Sequence, residues 1–356
     1  MERQCLEQLL SELLGNRSVS SFSLDFILHN SAATEEKVRE VYDVLKDIGL
    51  SDDKIATHAG ILGRDPDEIR DTYQTLRGYG VSDSKIATWA NLLGLTSTTI
   101  SKKYRVLRKM GLSEEKIASN ANLFCCKGST LRRTYRFLRK IGITEAKIAS
   151  RAQLLSYPPA TLRENYRNLK ALGLNDSKIA SQPQLLCRDP ETIRRNYDAL
   201  LKLGLSHEKI AQYVHLLGSK PSTVERNYKH HVRLLRESPE DRKSTRDFIL
   251  SYPSLLGIPP STIEANVQYL HSHGIDYRNG FLLGTTPQNK RKKVAYLLRE
   301  LFDYENMEND EKRNSIGQIY SFVRYCPRVL VSSLDNLERQ LPELREKFEN
   351  YRALLV

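Results

Sequence analysis

Arginine and lysine return along this chain at fixed intervals, and cations held at fixed intervals are what a phosphate backbone demands of a protein surface. The marker for the interval is a tyrosine every 31 residues: Tyr42, Tyr73, Tyr104, Tyr135, Tyr166, Tyr197 and Tyr228. The positions three before, one after and four after it read Arg70, Gln74 and Arg77, then Ser101, Arg105 and Arg108. They continue as Arg132, Arg136 and Arg139, then Arg163, Arg167 and Lys170, and fade to Arg194, Asp198 and Leu201. Spacings of three and four put each set along one side of a helix. The planar arginine fork matches phosphate oxygens in pairs, so the pattern points to backbone contact with a nucleic acid. The bland reading is a solvated face, with Glu68, Glu164 and Asp198 as ion-pair partners for some of these cations.

The charge is concentrated. The chain carries a net +12, and from Thr99 to Gly142 twelve Lys and Arg face only two Glu. The first 41 residues hold four basic and seven acidic residues. A local excess of this kind favours a polyanionic partner. A second cationic series, Lys54, Lys85, Lys116, Lys147, Lys178 and Lys209, precedes each Ile-Ala pair and leaves two readings open: phosphate, or an acid on the preceding turn. A basic knot, Lys290 to Lys293, comes late and is followed by an acidic run over 303–311.

Nothing in the sequence calls for catalysis. The eight histidines fall in no metalloprotease or deaminase pattern, no glycine-rich phosphate cradle is present, and no aspartate pair suits two-metal chemistry. No enzyme activity and no cofactor are expected. The five cysteines are odd in number and irregularly spaced, which reads as free thiols in a reducing compartment. No apolar run approaches a bilayer span, so no membrane partner is expected. The opening MERQCLEQLLSELLG carries acids through its apolar stretch, unlike a secretory signal or presequence. That reads as cytoplasmic, with an organelle open to a processed form.

The elements that position the cations follow from one repeat, Pro190 to Leu217. Pro190, Glu191 and Thr192 suit a helix start, and Ile193, Tyr197, Leu200 and Leu203 recur on one helical face. Gly204 ends that helix, and Ser206 caps a second one bearing Ile210, Ala211, Val214 and Leu217. Each unit is therefore expected to be two antiparallel helices. A unit this short cannot bury its own apolar face, so the units must stack: an all-α solenoid of helical repeats with a 31-residue period. The tyrosine ring is expected in the core, with Tyr104, Tyr135, Tyr166 and Tyr197 facing inward and each hydroxyl reaching a neighbouring backbone group. A stacking platform for bases is the alternative. Residues 1–34 read as an N-terminal helical cap, 35–234 as the regular repeats, and 235–356 as degenerate repeats with capping helices. Within the last stretch the spacing slips to 39 across a polar segment containing SPEDRKS. Helices are expected at 288–301 and 313–325, with one long terminal helix at 333–351.

The segments LSHEKIAQYVHLL, LNDSKIASQPQLLCRDPETIRRNYDALLKLG and ITEAKIASRAQLLSYPPATLRENYRNLKALG resemble repeats of the mitochondrial transcription termination factor (mTERF) family. The family's proline before a double leucine stands at Pro183, Pro253 and Pro327, with Ala90, Ala121 and Ala152 in that slot elsewhere. The resemblance implies an mTERF-like superhelix bent into a half-doughnut. It also implies a concave basic face that holds duplex nucleic acid, with ribosomal RNA a target for some members. Carried over here, the face would be lined by the first-helix cations Arg70 through Lys170. Most members sit in mitochondria or chloroplasts, and a chain without a presequence points to a prokaryotic relative. The segment SEEKIASNANLFCCKGSTLRRTYRFLRK is also similar to a helix-turn-helix, but its constant-spacing copies favour the solenoid.

The function expected is therefore non-catalytic binding of double-stranded DNA or structured RNA, in transcription regulation or in rRNA or ribosome-associated processes. A helical-repeat scaffold for an acidic protein partner is the competing class. Duplex is preferred to single strands because the exposed face lacks separate aromatic platforms.

Overall fold

The computed structural model describes residues 2–15, 17–30, 33–236, 241–277, 280–302 and 304–354. Among them there are helices and turns and no strand, so the fold is all-α and multi-helical, consistent with a helical-repeat architecture. The chain divides into two compact units, Met1–Pro190 and Glu191–Val356.

The first unit opens with α1 (Arg3–Leu14) and α2 (Ser21–His29). Long and short helices then alternate: α3 (Glu35–Asp47), α4 (Asp52–Thr57), α5 (Pro66–Gly78), α6 (Asp83–Thr88), α7 (Ser97–Lys109) and α8 (Glu114–Ser119). The alternation continues with α9 (Gly128–Lys140), α10 (Glu145–Ser150), α11 (Pro159–Ala171) and α12 (Asp176–Ser181). The second unit holds α13 (Pro190–Leu203), α14 (His207–Gln212), α15 (Pro221–Leu235), α16 (Arg242–Ser251), α17 (Pro260–Ser272) and α18 (Gly280–Gly284). It closes with α19 (Pro287–Leu301), α20 (Asn309–Tyr325), α21 (Leu334–Arg339) and α22 (Leu341–Ala353).

Two expectations need correction. The second helix of each unit is not one helix but a short α-helix followed by a 3-10 turn, as in Asp176–Ser181 and then Pro183–Cys187. The break falls at Gln182, with φ −129° and ψ 61°. The residue before a proline is disfavoured in the helical region, which accounts for breaks at Gln182, Tyr252 and Cys326. The same break at Arg151 precedes Ala152, so packing imposes it there. The terminal helix is likewise two, α21 and α22, broken at Gln340 just before Leu341-Pro342. The polar segment SPEDRKS lies partly outside the described residues.

The stripe that builds the core runs at i, i+3 and i+7: Ile69, Thr72 and Leu76 in α5, Leu131, Thr134 and Leu138 in α9, Ile193, Asn196 and Leu200 in α13. Each is buried, and burying a Leu or Ile side chain stabilises by about 1.5–3 kcal/mol. In the first unit α3 packs on α5, α5 on α7 and α9 on α11, while successive 3-10 turns pack on each other. In the second, α15 packs on α17 and α17 on α19. The long helices α3, α5, α7, α9 and α11 of the first unit end on glycine. Gly142 adopts φ +84°, and the amide of Ile143 closes back onto the Leu138 carbonyl at 3.1 Å, a geometry in which a side chain is strained.

The tyrosines do not occupy that stripe. Tyr104, Tyr135 and Tyr166 are half-buried at its edge, while Tyr197 is buried. Except at Tyr135, the hydroxyl of each repeat tyrosine from Tyr42 to Tyr197 reaches not a backbone group but the side chain ten residues on. Tyr42 donates to Asp52 at 2.9 Å, Tyr73 to Asp83 at 2.8 Å, Tyr104 to Glu114 at 2.9 Å and Tyr166 to Asp176 at 2.8 Å. The residue before the tyrosine is the inward one. Thr72 donates to the Leu95 carbonyl at 2.8 Å, Thr134 to Tyr157 at 3.0 Å and Asn165 to Leu186 at 2.7 Å. Each of these side chains fastens a long helix to the 3-10 segment of the next repeat. The lysine before Ile-Ala serves the same joining purpose. Lys85 donates to the Ser119 carbonyl at 2.7 Å, Lys147 to Ala180 at 2.9 Å and Lys209 to Leu250 at 2.8 Å. Neither of the two roles left open for it describes these three lysines.

Candidate nucleic-acid interface

The basic residues separate by helix position. The column four residues after the tyrosine turns back onto its own repeat. Arg77 donates to the Val81 carbonyl at 3.3 Å, Arg108 to Leu112 at 3.0 Å and Arg139 to Ile143 at 3.2 Å. Arg77 also pairs with Asp83 at 3.3 Å, and Lys170 with Asp176 at 2.9 Å. A lysine hydrogen bond, with Tyr166 second, holds the Asp176 carboxyl below its usual range, so this carboxylate stays ionised. Arg70 is neutralised by Glu40 at 3.0 Å and Asp67 at 2.9 Å. Arg163 lies over the Phe137 ring, 5.7 Å from its centre. The acids that pair with these cations are thus Glu40, Asp67, Asp83 and Asp176, whereas Glu68 pairs with Arg64.

Arg105, Arg132, Arg136 and Arg167 are different. All are exposed, and among the described residues none has an ion-pair or hydrogen-bonding partner for its side chain. Three of them meet. Arg105 on α7 and Arg132 and Arg136 on α9 line one open cleft of about 630 Å³, together with Lys102, Lys103, Lys109, Val106, Met110, Gly128 and Tyr135. Among the described residues no acid lines it. The reason is local: the first turns of α7 and α9 carry no acid, whereas α3 begins with Glu35 and Glu36 and α5 with Asp67 and Glu68. Gly128 opens α9 and presents only backbone to the cleft. Lys103 stands where α5, α9 and α11 have Thr72, Thr134 and Asn165, and its ammonium donates to the Phe124 carbonyl. Burial pushes its pKa below the usual lysine value.

The sequence reading did not single out Lys102, Lys103 or Lys109 as site residues. Their signal was the charge density from Thr99 to Gly142, which does not say which cations converge. Arg167 does not line the cleft. A second basic groove of about 420 Å³ lies on the other unit, lined by Tyr228, Lys229, Val232, Arg233, Arg236 and Arg246. Arg246 donates to the Tyr228 hydroxyl at 2.7 Å, where the register slip has removed the usual acid. Among the described residues, no group of three or more His, Cys, Asp or Glu could hold a metal ion, and no helix is long and apolar enough to cross a membrane.

The all-α, multi-helical architecture accords with what family comparison finds. The mTERF family model matches residues 166–348. The chain belongs to the mTERF family. Comparison with curated proteins returns no match. mTERF proteins are non-catalytic scaffolds, and membership is consistent with nucleic-acid binding in general. The match begins at Tyr166, so the α7/α9 cleft lies N-terminal to the matched segment of this mTERF protein.

Proposed function

We propose that this mTERF protein binds double-stranded DNA or structured RNA without catalysis, holding backbone phosphates between α7 and α9. The observation that carries the reading is the cleft itself. Six cations line it with no acid, and Lys102, Arg105, Lys109, Arg132 and Arg136 have no side-chain partner among the described residues. Cations left unneutralised by their own chain attract a polyanion and release its counterions on contact. The repeats are read as a 31-residue-period solenoid, with 1–34 as a cap and 235–356 as degenerate closing repeats. Duplex is favoured because, among the described residues, Tyr135 is the only aromatic lining the cleft, too few for a single-strand stacking platform. A role in transcription regulation or on the ribosome follows from this reading.

The test is binding of fluorescent duplex DNA, duplex RNA and single strands over a salt series. Duplex binding should weaken steeply with salt. Simultaneous reversal of Arg105, Arg132 and Arg136 to Glu should abolish it in a folded protein. Preference for single strands, or unchanged duplex binding by the folded triple variant, would overturn the reading and favour an acidic protein partner.

A further inference from the structure

Tyr135 breaks a rule that the other 31-residue repeat tyrosines of the first unit keep. Tyr42, Tyr73, Tyr104 and Tyr166 each tie their hydroxyl to the carboxylate ten residues on. For Tyr135 that residue is Glu145, and the bond is not made. Glu145 leans over Gly111, its Oε1 2.5 Å from where a Cβ on that glycine would stand. Arg139, the neighbouring cation, is committed to the Ile143 carbonyl. Among the described residues the Tyr135 hydroxyl has no hydrogen-bond partner and its ring no aromatic neighbour. By contrast the Tyr104 ring stacks on Tyr79 at 3.9 Å, and the Tyr166 ring meets Phe137 edge-on at 6.0 Å. Among the repeat tyrosines of the first unit, the untied one is also the one that lines the cationic cleft, beside Arg132 and Arg136.

We propose that Tyr135 is a phosphate-binding residue, its hydroxyl donating to a non-bridging oxygen of a nucleic-acid backbone phosphate held by Arg105, Arg132 and Arg136. This deepens the duplex-binding reading and rests on it. A phenol is the right complement to the arginines. It adds a directed hydrogen bond to an anion without adding charge, so it orients the phosphate that the cations attract. The glycine at 111 gives Glu145 its resting place and keeps a carboxylate off the tyrosine, where it would repel the ligand.

The neutrality of the phenol separates its contribution from that of the cations. Tyr135→Phe, Arg136→Gln, Arg132→Gln, Tyr104→Phe and Tyr166→Phe are compared in the full chain on fluorescent duplex DNA and duplex RNA over a salt series, each with its melting temperature. Tyr135→Phe should bind about tenfold more weakly at every salt concentration, the loss of one hydrogen bond to a charged group. Its salt slope and melting temperature should equal those of the parent. Arg136→Gln should lower the slope by about one unit on duplex DNA. Tyr104→Phe and Tyr166→Phe should melt lower yet bind as the parent does. Parental binding by Tyr135→Phe, beside a weakened Arg136→Gln, would overturn the role of Tyr135 and leave the duplex reading standing. A melting-temperature loss in Tyr135→Phe equal to that of Tyr104→Phe would show a structural clasp and would also overturn it. Parental binding and slope in Arg136→Gln and in Arg132→Gln would remove the duplex reading and Tyr135 with it.

Discussion

The Asn196 side chain donates to the Leu217 carbonyl at 2.6 Å, and the same nitrogen reaches the Ser219 carbonyl at 2.8 Å. Asn165 makes the equivalent pair of bonds to Leu186 and Arg188, at 2.7 and 3.0 Å. Asn227 and Asn266 extend the series to the Leu256 carbonyl at 3.0 Å and the Leu283 carbonyl at 2.7 Å. A 3-10 turn leaves carbonyls without helical partners, and a buried carbonyl must find a donor. A side-chain amide at the centre of the apolar stripe supplies it.

This joint should dominate local stability. Asn196→Ala should cost about 2–3 kcal/mol, because it leaves two carbonyls short of their donor. Arg136→Ala, on an exposed site, should stay within about 0.5 kcal/mol of the parent. Denaturant midpoints at constant slope measure both, and equal losses would show that the buried face of the long helices has been misplaced.

The cations should divide by partner, not by position in the ladder. Arg70→Gln and Lys170→Gln remove charges already neutralised by Glu40, Asp67 and Asp176, and should leave duplex affinity near the parental value. Arg105→Gln and Arg132→Gln should each lower the salt slope on duplex DNA by about one unit and weaken all sequences alike. A uniform effect across the four variants would mean that the ion pairs seen here do not withhold those side chains from the ligand.

Thiol reactivity should be graded. Burial pushes the Cys187 thiol up to about 12, and raises Cys125 and Cys126 as well, whereas Cys5 is exposed. The thiolate is the reactive form, so alkylation of the native protein near neutral pH should modify Cys5 first and Cys187 slowly. Mass mapping of a time course checks this, and early modification of Cys187 would contradict it.

Lys290 gives a pH signature. It is fully buried, its ammonium donating to Asn266 and to the Thr285 carbonyl, and burial, aided by the nearby Lys293 charge, lowers its pKa from 10.5 to about 7. Between these values the unfolded chain binds more protons than the folded one, so this residue makes stability rise with pH from about 7 towards 10.5. Below about 7 both states carry the proton and the cost of burying the charge is felt in full. The stability of the parent minus that of Lys290→Met should therefore climb from neutral pH into the alkaline range. A flat difference would place the ammonium in contact with solvent.

Most of the helical fold was legible because its signals are local. Pro190 and Ser206 start helices, Gly142 stops one, and Ile193 and Leu200 recur at helical spacing, all within a few residues of chain. The family was legible from Pro183 and the double leucine that follows. The 3-10 turns were not, since Arg151 breaks its helix without a following proline and only packing against neighbouring turns demands it. The depth of the tyrosine was legible only in part, since Tyr197 is buried as expected but Tyr104, Tyr135 and Tyr166 are half-buried. Its spacing marks the repeat, but the residue before it sits at the centre of the stripe, and sequence spacing alone does not set the helix rotation to that accuracy. The cations show the limit most directly. Arg70 and Arg132 occupy the same position in their repeats, yet Glu40, thirty residues away, neutralises one, and the other stands in an acid-free cleft. Whether a charge is available depends on which side chains the folded chain brings within a few ångströms of it, and electrostatic pairing acts through space rather than along the sequence.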